Sequence, residues 1–175
     1  MEHMEETKQS GMFMPALQYG VLTAIALIAL TLFIYFAGMI TVKWTSWIGY
    51  GILLAGIIIA TLAYRNEHRG GFINYGTALG FGTLTIFIAS VITAIFTFVF
   101  YKFLAPDALA QVKVAAEVQI LEANPNVSDQ ELDLAMRFVS PVLMSITTIF
   151  SYTFLGFVIS LITSAVLKKK DPLEA

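Results

Sequence analysis

Long uncharged runs alternate with short charged segments along this chain. Runs of 34, 21, 32 and 30 uncharged residues lie between four pairs of successive basic residues, Lys8 and Lys43, Lys43 and Arg65, Arg69 and Lys102, and Arg137 and Lys168. A helix needs about 20 apolar residues to cross the hydrocarbon core of a bilayer. Each run therefore predicts one membrane crossing, over residues 14–38, 45–64, 75–103 and 140–167.

The segment between the third and fourth crossings has a different pattern. From Lys102 to Arg137 it carries nine charges in 36 residues, too many for a crossing. Pro106 suits the first turn of a helix, and residues 108–122 contain no Gly or Pro, with apolar residues at helical spacing. Asn124-Pro125-Asn126 predicts a turn. Residues 104–137 are therefore predicted to form a helical hairpin outside the membrane.

Ser128-Asp129-Gln130-Glu131 has the spacing of a capping box. In this arrangement the serine hydroxyl and the glutamate carboxylate each accept a hydrogen bond from the other's backbone N–H. We expect the helix that it opens to run through Arg137 into the fourth crossing, with a kink at Pro141. Asp133 and Arg137, four residues apart, can form an ion pair on its surface.

Composition supports the pattern: 58% of the 175 residues are apolar and 13% are charged. Soluble domains average about 45–50% apolar and about 25% charged residues. This argues against a soluble enzyme, a disordered chain and a nucleic-acid binder. The predicted fold class is all-α, a single membrane domain over residues 1–175 with the lipid bilayer as its surroundings. Trp44 and Trp47 at one end of the second crossing and Tyr64 at the other fit interfacial aromatic belts.

Candidate chemistry is sparse. The chain has no cysteine, and Lys102, at the end of the third crossing, is the one Asp, Glu, Lys, Arg or His within the predicted crossings. Neither His3 nor His68 has neighbours that suggest a metal site, and no phosphate-binding or hydrolase motif is present. The sequence predicts no catalytic residue, no cofactor and no metal, and it favours a protein that is not an enzyme.

Small residues recur at helical spacing within the crossings, and such residues let membrane helices approach closely. We expect them at helix contacts, within one chain or in a homo-oligomer. The residues concerned are Gly20, Gly49, Gly56, Gly76, Gly80, Gly156, Ser160 and Ser164.

Hydroxyl side chains form a polar stripe along the third crossing, at Thr83, Ser90 and Thr97. Such a stripe can line a polar path in an oligomeric transporter or channel. More often the hydroxyls bind neighbouring helices or the carbonyl four residues earlier, and we favour that interpretation.

Acidic side chains are concentrated in the predicted hairpin, which holds six of the twelve acids. One interpretation is a solvated surface that keeps the hairpin out of the membrane. The other is a docking surface for an extracytoplasmic or membrane protein partner, with Glu117, Glu122, Asp129 and Asp133 as contacts. The acids lack the spacing of a calcium-binding loop.

Several segments together resemble a known family. Phe72-Ile73-Asn74-Tyr75-Gly76-Thr77-Ala78, the following GFGTLTIFIASVITAIFTFVFYKFLAPD and the later GFVISLITSAVLKKKDP are similar in order and spacing to a bacterial family catalogued as domain of unknown function 4199. The segment at residues 16–20 and the capped acidic hairpin fit as well. The resemblance implies four transmembrane helices in a bacterial inner membrane. It implies no known activity and supplies no functional residues.

Three functions compete. The preferred hypothesis is a non-enzymatic scaffold or accessory subunit whose acidic loop contacts a partner. The alternative is a small oligomeric transporter or channel with a hydroxyl-lined path along the third helix. A membrane enzyme ranks last, because no acid–base pair is evident.

Basic residues predict the orientation of the chain. Four crossings place both termini on one side, where six Lys and Arg residues lie against four on the other side. Lysine and arginine are enriched in cytoplasmic segments, so both termini are predicted to be cytoplasmic. Lys168, Lys169 and Lys170, directly after the fourth crossing, contribute most to this prediction.

Cysteine labelling tests the orientation cleanly, because the chain has no native cysteine. We expect Ser128→Cys to react with a membrane-impermeant maleimide in intact cells. Asn66→Cys should react only after the membrane is permeabilised. The reverse pattern would show that the chain is inserted the other way round.

Overall fold

The computed structural model describes residues 11–169, which form an all-α structure. His3, Lys8 and Lys170, singled out by the sequence analysis, lie outside the described residues. The six helices within the described range are α1 (Phe13–Phe36), α2 (Thr45–Ala63), α3 (Tyr75–Val99), α4 (Pro106–Ala123), α5 (Asp129–Arg137) and α6 (Pro141–Leu167).

Four helices are long and apolar enough to cross a membrane, as predicted. They span Phe13–Phe36, Thr45–His68, Tyr75–Leu104 and Pro141–Leu167. The second and third include one turn of π-helix each, Tyr64–His68 after α2 and Phe100–Leu104 after α3. The short helices α4 and α5 lie between the third and fourth, as the predicted hairpin requires.

The prediction that α5 runs into the fourth crossing is wrong. Helix α5 ends at Arg137, and α6 begins separately at Pro141. Ser140 is extended, and its hydroxyl accepts a hydrogen bond from the N–H of Leu143 at 3.4 Å. Proline disfavours helical backbone in the residue before it and is well suited to the first helical position. Pro141 therefore starts a new helix here.

Helix α3 lies at the centre of the bundle and contacts α1, α2 and α6, most extensively α6. Glycines bring these helices together. A β-carbon added at Gly20 would lie 2.9 Å from the Thr85 carbonyl oxygen, and one at Gly156 would lie 2.7 Å from Ile86 Cβ. One at Gly56 would lie 2.6 Å from Thr23 Oγ1. Close backbone approach at these positions therefore requires glycine.

Among residues 11–169, the contact predicted at Gly76 and Gly80 is not formed. A β-carbon at Gly80 would meet nothing within 4 Å, and one at Gly76 would meet only Asn74. Gly82 lies two residues after Gly80, which is roughly 200° further around the helix. Gly82 therefore faces inward, against Ser160 and Ile57. The pattern of small residues was present, but the side of α3 that faces its neighbours was assigned wrongly.

The remaining predicted packing residues differ in how closely they are packed. Ser160 and Ser164 on α6 are fully buried. Gly49 makes only an ordinary contact, since a β-carbon there would lie 3.9 Å from Leu30.

One end of the bundle, here called the basic end, holds residues 64–74 and 168–169. Tyr64 lies here but does not belong to an interfacial belt: it is 1% exposed and stacks on Phe81 with ring centroids 4.2 Å apart. Trp44 and Trp47, at the opposite, hairpin end, are exposed, as a belt requires. The interpretation of Tyr64 was therefore wrong, because it fills the core.

Glycine contacts give a stability prediction. Gly156→Ala should destabilise the bundle by about 1–3 kcal/mol, because its new methyl group overlaps the fully buried Ile86. Gly80→Ala is the matched control, since open space surrounds that position. Thermal unfolding in detergent should give a lower midpoint for Gly156→Ala only. Equal midpoints would contradict the close approach of α3 and α6.

Candidate functional site

The hairpin α4–α5 is attached to the bundle at the start of α4. Ala105 and Ala108 are fully buried against Phe100, the first residue of the π-turn after α3. The Tyr35 hydroxyl at the end of α1 donates to the Asp107 carboxylate at 3.1 Å. Beyond this point α4 contacts α5. Most of the hairpin is therefore free to meet solvent or a partner.

The capping box predicted at the start of α5 is present. Ser128 Oγ accepts from the N–H of Glu131 at 3.3 Å, and the Glu131 carboxylate accepts from the N–H of Ser128 at 3.0 Å and from its hydroxyl at 2.8 Å. These bonds lower the pKa of the Glu131 carboxyl below its ordinary value. Its stabilising contribution is therefore present above about pH 4.3 and is lost as the pH falls through the lowered pKa.

The four acids proposed as partner contacts are all exposed, but they are not equivalent. Asp133 accepts a hydrogen bond from Arg137 Nη2 at 2.9 Å, so the predicted pair on α5 is formed and part of that charge is neutralised. Asp129 lies one turn earlier on the same helix. Glu117 and Glu122 lie on α4 and form no ion pair within the described residues. The α4 acids therefore present the less compensated charge.

An exposed apolar stripe on α4 was not predicted. Val114, Val118 and Leu121 are 62%, 48% and 40% exposed, and their i, i+4, i+7 spacing aligns them on one face. At about 100° per residue, Glu117 and Glu122 flank this face, roughly 70° to either side of its centre. The sequence contains the pattern that predicts this stripe, because α4 carries two sets of apolar residues at helical spacing. Only one of the two sets was recognised.

The apolar residues whose helical spacing was recognised in the sequence lie on the less exposed side of α4. Leu109, Val112, Ala116 and Ile120 are all half-buried. Leu134 on α5 and Phe138, directly after its end, are 56% and 68% exposed and lie about one turn apart. The hairpin therefore buries one side of α4 and leaves apolar side chains outward on both of its helices.

The hydroxyl stripe of α3 lies largely in helix contacts. Ser90 is fully buried, donates to the Phe87 carbonyl at 2.7 Å and lies 3.1 Å from Thr153 Oγ1 on α6. Thr97 donates to the Thr93 carbonyl at 2.9 Å. Thr83 lines an outward groove of about 520 Å³ between α3 and α6, rather than an interior path.

A polar cavity of about 210 Å³ opens between the helices near the hairpin end. Its lining includes Tyr50, Tyr101 and Tyr152, which come from α2, the π-turn after α3, and α6. Sequence reasoning missed this group because the three tyrosines are about 50 residues apart in the chain and only the fold brings them together.

The hairpin carries an exposed apolar stripe and exposed carboxylates. Among residues 11–169 no three His, Asp or Glu side chains are placed to hold a metal ion. The stripe offers apolar area that a partner can remove from water, and the two carboxylates beside it add negative charge. Protein contact surfaces combine these two features. The stripe and its two flanking acids are the candidate functional site.

Removal of the cap should loosen α5. Ser128→Ala should cost about 1 kcal/mol of helix stability and raise amide hydrogen exchange over residues 129–137 by roughly fivefold. Ser128→Thr is the control, because its hydroxyl can still accept the bond from the Glu131 N–H and donate to the Glu131 carboxylate. Unchanged exchange in Ser128→Ala would show that the cap does not hold the hairpin.

Comparison with known proteins gives a family assignment. No curated protein and no solved structure matches the chain. The family model described as "Protein of unknown function (DUF4199)" matches residues 18–169, which include all four candidate crossings except the first few residues of α1. Since the match covers most of its length, the chain belongs to the DUF4199 family.

Proposed function

We propose that the protein is a non-enzymatic docking subunit of a bacterial inner membrane. Both termini are cytoplasmic, and the α4–α5 hairpin binds a protein partner outside the cytoplasm. The exposed stripe of Val114, Val118 and Leu121 between Glu117 and Glu122 carries this proposal. Burial of such a stripe removes apolar area from water, and the flanking acids select the partner that does so.

The chemistry of the stripe describes the partner. An amphipathic helix with an apolar face and flanking Lys or Arg residues complements it, because such a helix places cations opposite Glu117 and Glu122. A second copy of the hairpin would place acids against acids, which is unfavourable. An anionic membrane surface would repel the same carboxylates. A separate basic protein segment therefore fits best.

The rigidity of the hairpin also supports recognition. The capping box orders the start of α5, and the Asp133–Arg137 pair lies on its surface. A hairpin ordered before binding loses less conformational entropy when a partner docks.

Transport along the α3 hydroxyls has less support. Ser90 and Thr97 donate to carbonyls of their own helix, and Ser90 is buried against α6. These bonds are typical of packed membrane helices.

Site-specific photocrosslinking in native membranes tests the docking surface. A photoreactive residue at Val118 should give one protein adduct, whereas the same residue at Gln119, exposed but turned away from the stripe, should give much less. The Val118 adduct should weaken as the salt concentration rises, because the carboxylates are exposed and screened.

Charge variants supply the matched control. Glu117→Gln with Glu122→Gln should reduce the Val118 adduct several-fold. Asp129→Asn with Asp133→Asn removes the same formal charge and should reduce it less, since Asp133 is paired with Arg137. Equal adducts at Val118 and Gln119, or no response to the α4 acids, would contradict the proposal.

A further inference from the structure

Two distant parts of the chain meet at the basic end of the bundle. Ile73 and Lys169 form an antiparallel bridge, in which each N–H donates to the other's carbonyl at 2.9 Å. Arg65 Nη1 donates to the Leu167 carbonyl at 3.1 Å. These bonds bring together four basic residues that the sequence separates by about 100 positions. We call them the basic collar: Arg65, Arg69, Lys168 and Lys169.

Aromatic rings hold part of the collar at the level of the helix ends. The Arg69 guanidinium lies 5.6 Å from the Tyr64 ring centroid, and its Nε donates to the Tyr64 hydroxyl at 3.2 Å. Lys169 Nζ lies 5.3 Å from the centroid of Phe72. Cations over aromatic faces are stabilised without losing their charge. The collar therefore remains positive where the crossings leave the hydrocarbon core.

The collar's charge is not compensated within the described residues. Glu67 is the one carboxylate among residues 64–74 and 168–169, so these segments have a net charge of +3 with histidine neutral. None of the four collar residues forms an ion pair in the described chain. Arg69, Lys168 and Lys169 are exposed, while Arg65 is half-buried against the end of α6.

We propose that the basic collar is a binding site for the phosphodiester headgroup of an anionic phospholipid. The site lies at the ends of four crossings, where headgroups are found. Guanidinium groups bind phosphate oxygens with directed, charge-assisted hydrogen bonds, and lysines add point charge. Arg69 uses Nε within the protein, so its two terminal nitrogens remain for the phosphate.

The proposal differs from a simple topology anchor in one respect. An anchor needs only the lysine run after α6, whereas this site needs Arg69 from the α2–α3 connection as well.

Native mass spectrometry of the detergent-purified protein can distinguish a lipid-binding site from a topology anchor. Phosphatidylglycerol should bind more tightly than phosphatidylethanolamine with the same acyl chains.

Variants test which residues form the site. Lys168→Gln with Lys169→Gln should weaken phosphatidylglycerol binding by roughly 30-fold, at about fivefold for each lost charge. Arg69→Gln alone should weaken it by about fivefold. Lys102→Gln with Lys113→Gln is the control, since it removes two charges at the hairpin end and should leave binding unchanged.

Three outcomes would overturn the proposal. Equal loss in the Lys102 and Lys113 control would show that only total charge matters. Full binding in Arg69→Gln, with loss in the lysine variant, would reduce the site to a lysine anchor. Competition by glycerol 3-phosphate at the same concentration as phosphatidylglycerol would identify a site for free phosphate esters.

Discussion

The bundle depends on how closely three helices approach α3, and that approach is possible only where a side chain is reduced to a hydrogen atom. Lipid is as apolar as leucine, so burial of apolar surface does little to hold membrane helices together. Dispersion contacts must do so, and they weaken steeply with distance. Gly20 against Thr85 provides this proximity to α1, and Gly156 against Ile86 provides it to α6. Gly82 faces both α6, at Ser160, and α2, at Ile57.

The central position of α3 separates two chemically different ends. At one end α4–α5 carries six carboxylates and three bases from Lys102 to Arg137. At the other, the Ile73–Lys169 bridge gathers basic residues. Both clusters lie at the ends of the crossings, since Lys102, at the end of the third, is the one Asp, Glu, Lys, Arg or His within the four predicted crossings.

The crossings and the capped hairpin could be predicted because their determinants are local. Bilayer thickness fixes helix length, and Ser128 with Glu131 defines a helix start by itself. The side of α3 that faces inward could not be predicted: Gly80 and Gly82 are equally small, and only the placement of α1, α2 and α6 distinguishes them. The break before Pro141 was missed although the rule for the residue before proline was available. The tyrosine-lined cavity and the basic collar join residues too far apart in sequence for any local pattern to reveal.

The contact between Arg65 and Leu167 has a consequence for biosynthesis. The two residues are 102 positions apart. At about 5–20 residues per second, a ribosome needs roughly 5–20 s to synthesise the intervening chain. In the later part of that interval α1, α2 and α3 have been synthesised and α6 has not, so the surface around Gly82 and Ser90 that α6 later covers faces lipid or the insertion machinery. Completion of the bundle is therefore a late step, and a chain that stalls before α6 exposes hydroxyl groups to lipid that quality-control proteases can recognise.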